Sequence, residues 1–309
     1  MEYRVLGKTS LKVSALSFGA SSLGGVFRPV EEAEGIRTVH AALDLGINYI
    51  DVAPYYGLTK AETVLGKALK DIPRGRFYLA TKVGRYGADQ FDFSAQRTMA
   101  SVDESLKRLK VDYVDVIQCH DVEFGSLDQI VDETLPSLER LRDAGKVRFI
   151  GITGLPLKCF KILLDRAEFN TILSYCHYSL NDSALETMIP YFKEKNVGII
   201  SASPLSMGLL SDRGAPNWHP ASPEIRQACA KAAQHCYAKG SDIAKLAVQF
   251  SAANLDIATT IVGTANSENI QKNIQWIEEP MDEELLAEVN AILAPIHNRT
   301  WPSGLPENN

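Results

Sequence analysis

Four side chains that could move a proton follow three consecutive apolar runs of the sequence. Asp51 and Tyr56 come at the end of one run, Lys82 near the end of the next and His120 at the end of the third. A tyrosine exchanges protons poorly near neutral pH because its unperturbed pKa is about 10. An ammonium group such as that of Lys82 favours the phenolate, so we expect it to lower the pKa of Tyr56, by roughly 1–3 units. Asp51 could hold Lys82, and His120 could orient a substrate oxygen. The set predicts acid–base chemistry without a metal ion or a nucleophile.

These residues can meet only if the fold brings the ends of the apolar runs together. Eight β-rich runs alternate with amphipathic stretches of helical spacing. The predicted strands are 15–19, 49–53, 78–83, 113–120, 149–153, 172–176, 198–202 and 259–262, after a β-hairpin over 3–6 and 11–13. The predicted helices are 31–45, 95–109, 127–142, 157–167 and 184–195, with extra helices over 223–238 and 282–293. Nearly continuous apolar strands are typical of parallel sheets buried on both faces.

This alternation predicts an α/β fold, a single (β/α)8 TIM barrel with an N-terminal β-hairpin and extra C-terminal helices, in one domain spanning residues 1–309. An open doubly wound sheet would place a glycine-rich fingerprint after the first strand, and residues 19–25 lack its spacing. In a barrel the active site lies at the carboxyl ends of the strands, where the four candidate residues fall.

The order and strand positions of Asp51, Tyr56, Lys82 and His120 resemble the Asp-Tyr-Lys-His tetrad of the aldo-keto reductase superfamily. The resemblance extends from residue 3 to residue 273, and stretches 51–57, 172–180 and 202–208 are most similar to the plant L-galactose dehydrogenase subfamily. It implies that Tyr56 exchanges the proton, that Asp51 and Lys82 tune Tyr56, and that Tyr56 and His120 contact the substrate.

The resemblance also implies a nicotinamide cofactor held by the rim after the fifth, seventh and eighth barrel strands. The residues that it assigns to the cofactor are Thr153, Ser203, Leu205, Met207, Gly208, Gly263, Thr264, Glu268, Asn269 and Asn273. The last of these segments opens a helix, whose free N–H groups suit a phosphate.

Three positions depart from the family pattern around the nicotinamide ring. Thr153-Gly154 stands where Ser-Asn is usual, so one amide contact to the carboxamide is missing. Tyr175 stands at the usual glutamine, and Ala202 at the aromatic residue that often stacks on the ring. Part of the orientation of the ring must therefore come from other residues.

The segment after the last strand also predicts the choice between NAD and NADP. Gly263 and Asn269 stand where NADPH-preferring relatives carry Lys or Arg near the 2′-phosphate. Glu268 could bond ribose hydroxyls and would repel that phosphate, and Lys272 is the one cation between residues 259 and 277. NAD is the predicted cofactor.

The leading hypothesis is an NAD-dependent sugar dehydrogenase that oxidises the anomeric carbon of L-galactose to L-galactono-1,4-lactone, a reaction that the resemblance associates with ascorbate biosynthesis. An NADPH-dependent aldehyde reductase and a related L-fucose or D-arabinose dehydrogenase stay open. A cofactor-sensing module like the potassium-channel β subunits is the alternative without enzymatic activity. A metal-dependent barrel hydrolase would use Cys119, His120, Cys176 and His177 with Asp51, but buried cysteines beside rim histidines are the favoured interpretation.

Composition limits the partners and the compartment. The net charge of −6 and the absence of a basic run argue against nucleic acid. No apolar run is long enough to span a bilayer, so no membrane association is predicted. Five cysteines without framework spacing suit a reducing compartment, and we expect a cytoplasmic protein that acts on a small sugar. The sequence leaves the oligomeric state open.

Overall fold

The computed structural model describes residues 1–26 and 28–309, and its centre is a closed barrel of eight parallel strands. Each strand pairs with the next along the chain, and the last strand pairs with the first. The barrel strands are β3 (Leu16–Gly19), β4 (Tyr49–Asp51), β5 (Tyr78–Val83), β6 (Val114–Cys119), β7 (Val147–Gly154), β8 (Thr171–Tyr175), β9 (Gly198–Ala202) and β10 (Thr259–Gly263). Before them, β1 (Tyr3–Val5) and β2 (Lys12–Ser14) form an antiparallel hairpin. The predicted barrel and hairpin are confirmed.

Helices surround the barrel and extend beyond it at the C-terminal end of the chain. The α-helices are α1 (Glu32–Asp44), α2 (Lys60–Leu69), α3 (Ala95–Leu109), α4 (Leu127–Gln129), α5 (Leu135–Asp143), α6 (Leu157–Arg166), α7 (Ile189–Glu194), α8 (Pro223–Ala238), α9 (Ile243–Ala253), α10 (Ser267–Glu278) and α11 (Glu283–Leu293). The predicted helix over 127–142 is broken by a π-helical turn, Ile130–Thr134, between α4 and α5. The predicted helix over 184–195 begins as a 3₁₀ turn, and α7 forms its second half.

Several predicted strand ends shift by one or two residues, and two of these shifts concern the site. The second barrel strand ends at Asp51 rather than at residue 53, and the fourth ends at Cys119, so His120 lies just beyond it. Two helices, α2 and α9, were absent from the sequence prediction. α2 starts without a side-chain cap, since Thr59 before it has a φ of 74° and makes no capping bond.

The N-terminal hairpin closes the lower end of the barrel. Leu6 and Val13 are buried in one apolar cluster with Tyr49, Val116 and Ile200 from inside the barrel. The removal of these apolar side chains from water stabilises the barrel, and the side chains fill the barrel interior. The candidate site lies at the opposite end of the barrel, where the strands end.

Candidate active site

The neighbouring strands β4, β5 and β6 bring the predicted residues to one edge of the barrel. Asp51 is the last residue of β4, Lys82 pairs in register with residue 118 on β6, and His120 follows β6 directly. Tyr56 lies in the turn after β4, where the backbone passes very close to Gly24. A Cβ at Gly24 would lie 2.6 Å from the carbonyl oxygen of Tyr56, so a side chain there would displace the turn that carries the tyrosine.

A buried ion pair lies at the base of the site. Lys82 donates to Asp51 Oδ1 and to the carbonyl oxygen of Val52 at 3.0 Å, and both charged side chains are at most 5% exposed. Gln118 Nε2 donates to the other carboxylate oxygen of Asp51 at 2.8 Å. Burial lowers the pKa of Lys82, but the charges of Asp51 and Tyr56 outweigh it and leave that pKa raised. Lys82 is therefore cationic at neutral pH.

The pKa of Tyr56 differs from the sequence expectation. Lys82 Nζ lies 5.0 Å from the centre of the Tyr56 ring and lowers the pKa of the phenol, as expected. Burial has the larger and opposite effect, and Asp51 and Asp121 add to it, so the pKa of Tyr56 is raised to about 12. The expectation of a lowered pKa was wrong because it counted the ammonium charge and not the desolvation. At neutral pH Tyr56 is a protonated phenol beside a fixed cation.

His120 lies against Tyr56 as a neutral ring. The two rings meet edge to face, with centres 5.7 Å apart and planes at 89°. Burial has the largest effect on the pKa of His120 and lowers it. The nearby charges of Lys82 and Arg85 lower it further, and Asp121 opposes this only in part, so the pKa of His120 falls to about 3. His120 Nδ1 is buried and has no hydrogen-bond partner among the residues that the structure describes. An unpaired imidazole nitrogen next to a phenol is available to a substrate oxygen.

An arginine and an aspartate on the same rim were missed by the sequence analysis. Arg85 Nη1 donates to Asp121 Oδ2 at 2.5 Å, and the guanidinium carbon lies 4.0 Å from the centre of the Tyr55 ring. Phe91 and Phe124 stack on each other at 4.5 Å and flank the same guanidinium. Asp121 directly follows His120 in the sequence and could have been noticed. Its pairing with Arg85 could not have been predicted, because Arg85 lies in the loop after β5 and Asp121 in the loop after β6.

The loop after β9 carries four of the predicted cofactor residues. Ser203, Ser206 and Met207 have φ values of 62°, 48° and 52°, in the left-handed region that residues with a side chain seldom adopt. Gly208 has a φ of 102°, which glycine adopts without strain, and Leu205 packs partly buried against the core. The hydroxyl of Ser206 is buried without a hydrogen-bond partner in the described part of the chain.

One further predicted residue, Thr153, and one residue that was not predicted, Ser206, make hydrogen bonds within the protein itself. The hydroxyl of Thr153, at the end of β7, accepts a hydrogen bond from the backbone N–H of Asp121 at 3.0 Å. In the loop after β9, the carbonyl oxygen of Ser206 lies 3.1 Å from His219 Nε2. The ring of His219 meets Trp301 edge to face, with centres 4.8 Å apart. The C-terminal tail therefore braces the loop that contains the unpaired Ser206 hydroxyl.

The remaining predicted cofactor residues lie at and after the end of β10. Gly263 is the last residue of β10 and is exposed, and Thr264 follows it half-buried. Glu268 and Asn269 are exposed in the first turn of α10, and Asn269 Nδ2 donates to Thr264 Oγ1 at 3.3 Å. Asn273 lies one turn further along the same helix and is half-buried.

The residues present fit the phosphates and sugars of a dinucleotide. Asn266 caps α10 by accepting from the backbone N–H of Glu268 at 2.8 Å, and the helix starts at the carboxyl edge of the barrel. The positive end of a helix dipole and a buried unpaired hydroxyl at Ser206 both suit an anionic, hydrogen-bonding ligand. Lys272 lies on the same helix and is exposed.

Metal ligation has no support in the described residues. Within 1–26 and 28–309, no group of three or more His, Cys, Asp or Glu side chains is arranged to hold a metal ion. Burial raises the pKa of Cys119 and of Cys176 to about 12, so both thiols are protonated at neutral pH.

Within residues 1–26 and 28–309, no helix is long and apolar enough to cross a membrane.

Comparison with known proteins identifies relatives along the whole chain. A sequence model described as the Aldo/keto reductase family matches residues 15–294. L-Galactose dehydrogenase of Arabidopsis thaliana is 54% identical over 100% of this chain and 99% of its own length. D-Arabinose 1-dehydrogenase of Saccharomyces cerevisiae is 30% identical over 95% of both chains. The solved structure of an aldo-keto reductase from Bacillus halodurans in its holo form superposes with a TM-score of 0.80, at 30% identity over 98% of both chains.

Proposed function

Because the chain belongs to the aldo/keto reductase family of oxidoreductases, we propose that it is an NAD-dependent sugar dehydrogenase that oxidises the anomeric carbon of L-galactose to L-galactono-1,4-lactone. The observation that carries the chemistry is the cluster of buried Asp51, Lys82 and His120 around the half-buried Tyr56, at the carboxyl ends of three adjacent strands. The choice of sugar rests on the 54% identity with an L-galactose dehydrogenase over the whole chain. We further propose one domain over residues 1–309 and a cytoplasmic location.

In this proposal the hydroxyl group on C1 of the sugar lies between the Tyr56 hydroxyl and the neutral ring of His120. When bound, the nicotinamide supplies the acceptor for the hydride that leaves C1. The C1 hydroxyl proton passes to Tyr56, and the C1–O bond becomes the carbonyl of the lactone. Tyr56 must be ionised to accept that proton, so the Lys82 ammonium is needed to stabilise the phenolate. Asp51 holds Lys82 in place, and Gln118 in turn donates to Asp51.

The cofactor in this proposal lies along the rim on the side of β7, β9 and β10. Thr153, Ser203, Leu205, Met207 and Gly208 would face the nicotinamide half, and Gly263, Thr264, Glu268, Asn269 and Asn273 the adenosine half. The preference for NAD is supported by the exposed carboxylate of Glu268 and by Asn269, whose amide bonds Thr264 rather than supplying a positive charge.

One observation favours a second candidate, an NADPH-dependent aldehyde reductase. With a pKa of about 12, Tyr56 is protonated at neutral pH and can donate its proton to a carbonyl oxygen without first being ionised. The same four residues then work in the direction of reduction. Lys272, exposed on α10, is the cation that a 2′-phosphate would have to reach.

The proposal is tested by steady-state assays of the purified protein with NAD and NADP over a panel of L-galactose, L-fucose, D-arabinose and simple aldehydes. We expect the highest kcat/KM for the pair L-galactose and NAD. The same assays are run on Tyr56→Phe. Its matched control is Tyr237→Phe, which makes the same substitution at an exposed tyrosine on α8. Faster reduction of aldehydes with NADPH than oxidation of any sugar would favour the second candidate.

A further inference from the structure

A buried carboxylate next to the candidate site has an oxygen without a partner. Glu123 lies in the 3₁₀ turn after β6, two residues beyond Asp121, and is completely buried. Its Oε1 accepts from the Ser303 hydroxyl at 2.9 Å and from the backbone N–H of Leu155 at 3.1 Å. Its Oε2 is buried and has no hydrogen-bond partner in residues 1–26 and 28–309. Buried polar atoms are rarely left unpaired, so a missing donor is indicated.

The charge of Glu123 is also unbalanced. Among the described residues no Lys, Arg or His forms an ion pair with it, whereas the buried Asp51 and Asp121 each have a cationic partner. Burial, together with the nearby charge of Asp121, raises the pKa of Glu123 to about 7. A charge-assisted hydrogen bond from a ligand N–H to Oε2 would be stronger than a neutral one and would offset part of the burial of this carboxylate.

The unpaired oxygen Oε2 lies in space that is open because residue 154 is a glycine and has no side chain. Oε2 faces Gly154, the last residue of β7, and a Cβ at that position would lie 2.7 Å from it. The hydroxyl of Tyr175, the last residue of β8, lies 3.4 Å from Oε1. The Glu123 carboxylate therefore fills the space beside Gly154 and Tyr175, the two positions where the sequence lacks the amide side chains that the family resemblance assigns to the nicotinamide.

We propose that Glu123 Oε2 accepts a hydrogen bond from the carboxamide NH2 group of the nicotinamide and thereby orients the ring. This inference rests on the proposed function. The carboxamide is the polar group of that ring, and its NH2 requires acceptors, which a carboxylate supplies without a donor of its own. The hydroxyls of Ser174 and Ser201 are also unpaired and buried, but they carry no charge and offer a weaker acceptor.

The backbone around Glu123 is anchored independently of its carboxylate. The N–H of Leu305 and the side-chain amide of Asn308 donate to the carbonyl oxygen of Glu123 at 2.8 and 2.9 Å. Substitution of the side chain therefore leaves this turn and the C-terminal tail attached to each other.

Glu123→Gln converts the acceptor into a donor at one oxygen. Ser303 and the N–H of Leu155 both donate to Oε1, so the amide oxygen of the glutamine takes that place. Its NH2 group then takes the place of Oε2 and faces the cofactor with the wrong polarity. Ser303→Ala is the matched control, because it removes one bond to Oε1 and leaves Oε2 unchanged.

The test is the Kd of two dinucleotides, measured by calorimetry: NAD, and its 3-acetylpyridine analogue, in which a methyl group replaces the amide NH2. At about pH 8.5, above the raised pKa of Glu123 and therefore with its carboxylate ionised, the wild-type protein and Ser303→Ala should bind NAD about tenfold or more tightly than the analogue, as expected for one charge-assisted hydrogen bond. Glu123→Gln should bring that ratio close to one. ADP-ribose, which lacks the nicotinamide, should bind wild type and Glu123→Gln equally.

Two results would overturn the inference: a wild-type protein that binds NAD and its analogue equally, or a folded Glu123→Gln variant that keeps the wild-type ratio. The wild-type comparison needs no variant, so it decides the matter even if Glu123→Gln does not fold. If NADP binds and NAD does not, the ratio of Kd values is measured with NADP and its acetylpyridine analogue. That result would refute the proposed preference for NAD, and the ratio would still test the role of Glu123. A wild-type protein that binds neither dinucleotide would overturn the proposed function together with this inference.

Discussion

Replacement of Lys82 by Met removes the cation from the base of the site and leaves the Asp51 carboxylate buried with Gln118 as its hydrogen-bond donor. Breaking a buried ion pair from one side costs about 3–5 kcal/mol in the free energy of unfolding, because the remaining charge is uncompensated. Since Gln118 still bonds Asp51 at 2.8 Å, we expect the lower end of that range, about 3 kcal/mol.

A double variant separates the loss of the ion pair from the loss of packing. In Asp51→Asn with Lys82→Met, neither charge is left buried, and we expect a loss of stability of about 1–2 kcal/mol relative to wild type. Urea denaturation at neutral pH measures the three free energies of unfolding. Activity is a second readout, since loss of the Lys82 charge raises the pKa of Tyr56 further above about 12 and moves the basic limb of the pH–rate profile upward.

The reasoning is refuted by either of two results. One is a loss below about 1 kcal/mol in Lys82→Met, which would mean that Asp51 is solvated or already neutral. The other is a double variant that is no more stable than Lys82→Met alone, which would mean that the lysine side chain stabilises the barrel by packing.

Three further predictions concern single substitutions. Tyr56→Phe should stay folded and lose at least about a hundredfold in kcat, the lower end for general acid–base catalysis, and turnover near wild type would exclude Tyr56 as the proton-transfer group. Wild type should prefer NAD over NADP by about tenfold or more in kcat/KM, and Asn269→Arg should narrow the gap by lowering KM for NADP; an unmoved preference would mean that residue 269 does not face the 2′-phosphate. Glu123→Gln should change the pH dependence of stability. Because the pKa of Glu123 is raised from 4.5 to about 7 on folding, the folded state binds more protons, and wild-type stability falls as pH rises between those values. The variant should lack that fall and gain up to about 3 kcal/mol relative to wild type above pH 8, as measured by urea denaturation; parallel profiles for the two proteins would contradict the raised pKa.

The barrel was predictable because its strands are short, largely apolar runs that alternate regularly with amphipathic stretches. The ends of the strands were less predictable, since His120 is buried like the residues of β6 and yet lies just outside that strand. Helix α2 was not predicted because it begins after a left-handed residue without a side-chain cap, so that the usual sequence signal of a helix start is absent.

That Asp51, Tyr56, Lys82 and His120 meet was predictable from their order and from their positions at the ends of adjacent strands; their roles remain predictions. The contacts that adjust those residues depend on tertiary structure. Glu123 and Ser303 are 180 positions apart in the sequence, and no local pattern indicates that they meet. The net pKa of Tyr56 likewise required its burial to be known, because desolvation outweighs the charge of Lys82 that the sequence does show.

The central claim is that this protein takes a hydride from the anomeric carbon of L-galactose, and isotopic labelling tests it most directly. Purified protein is incubated with NAD and L-galactose deuterated at C1, and the reduced cofactor and the sugar product are examined by mass spectrometry. The account predicts deuterium in the reduced nicotinamide, an unlabelled L-galactono-lactone, and loss of both products in Tyr56→Phe. Deuterium that stays on the sugar, or reduced cofactor formed equally well by Tyr56→Phe, would contradict it.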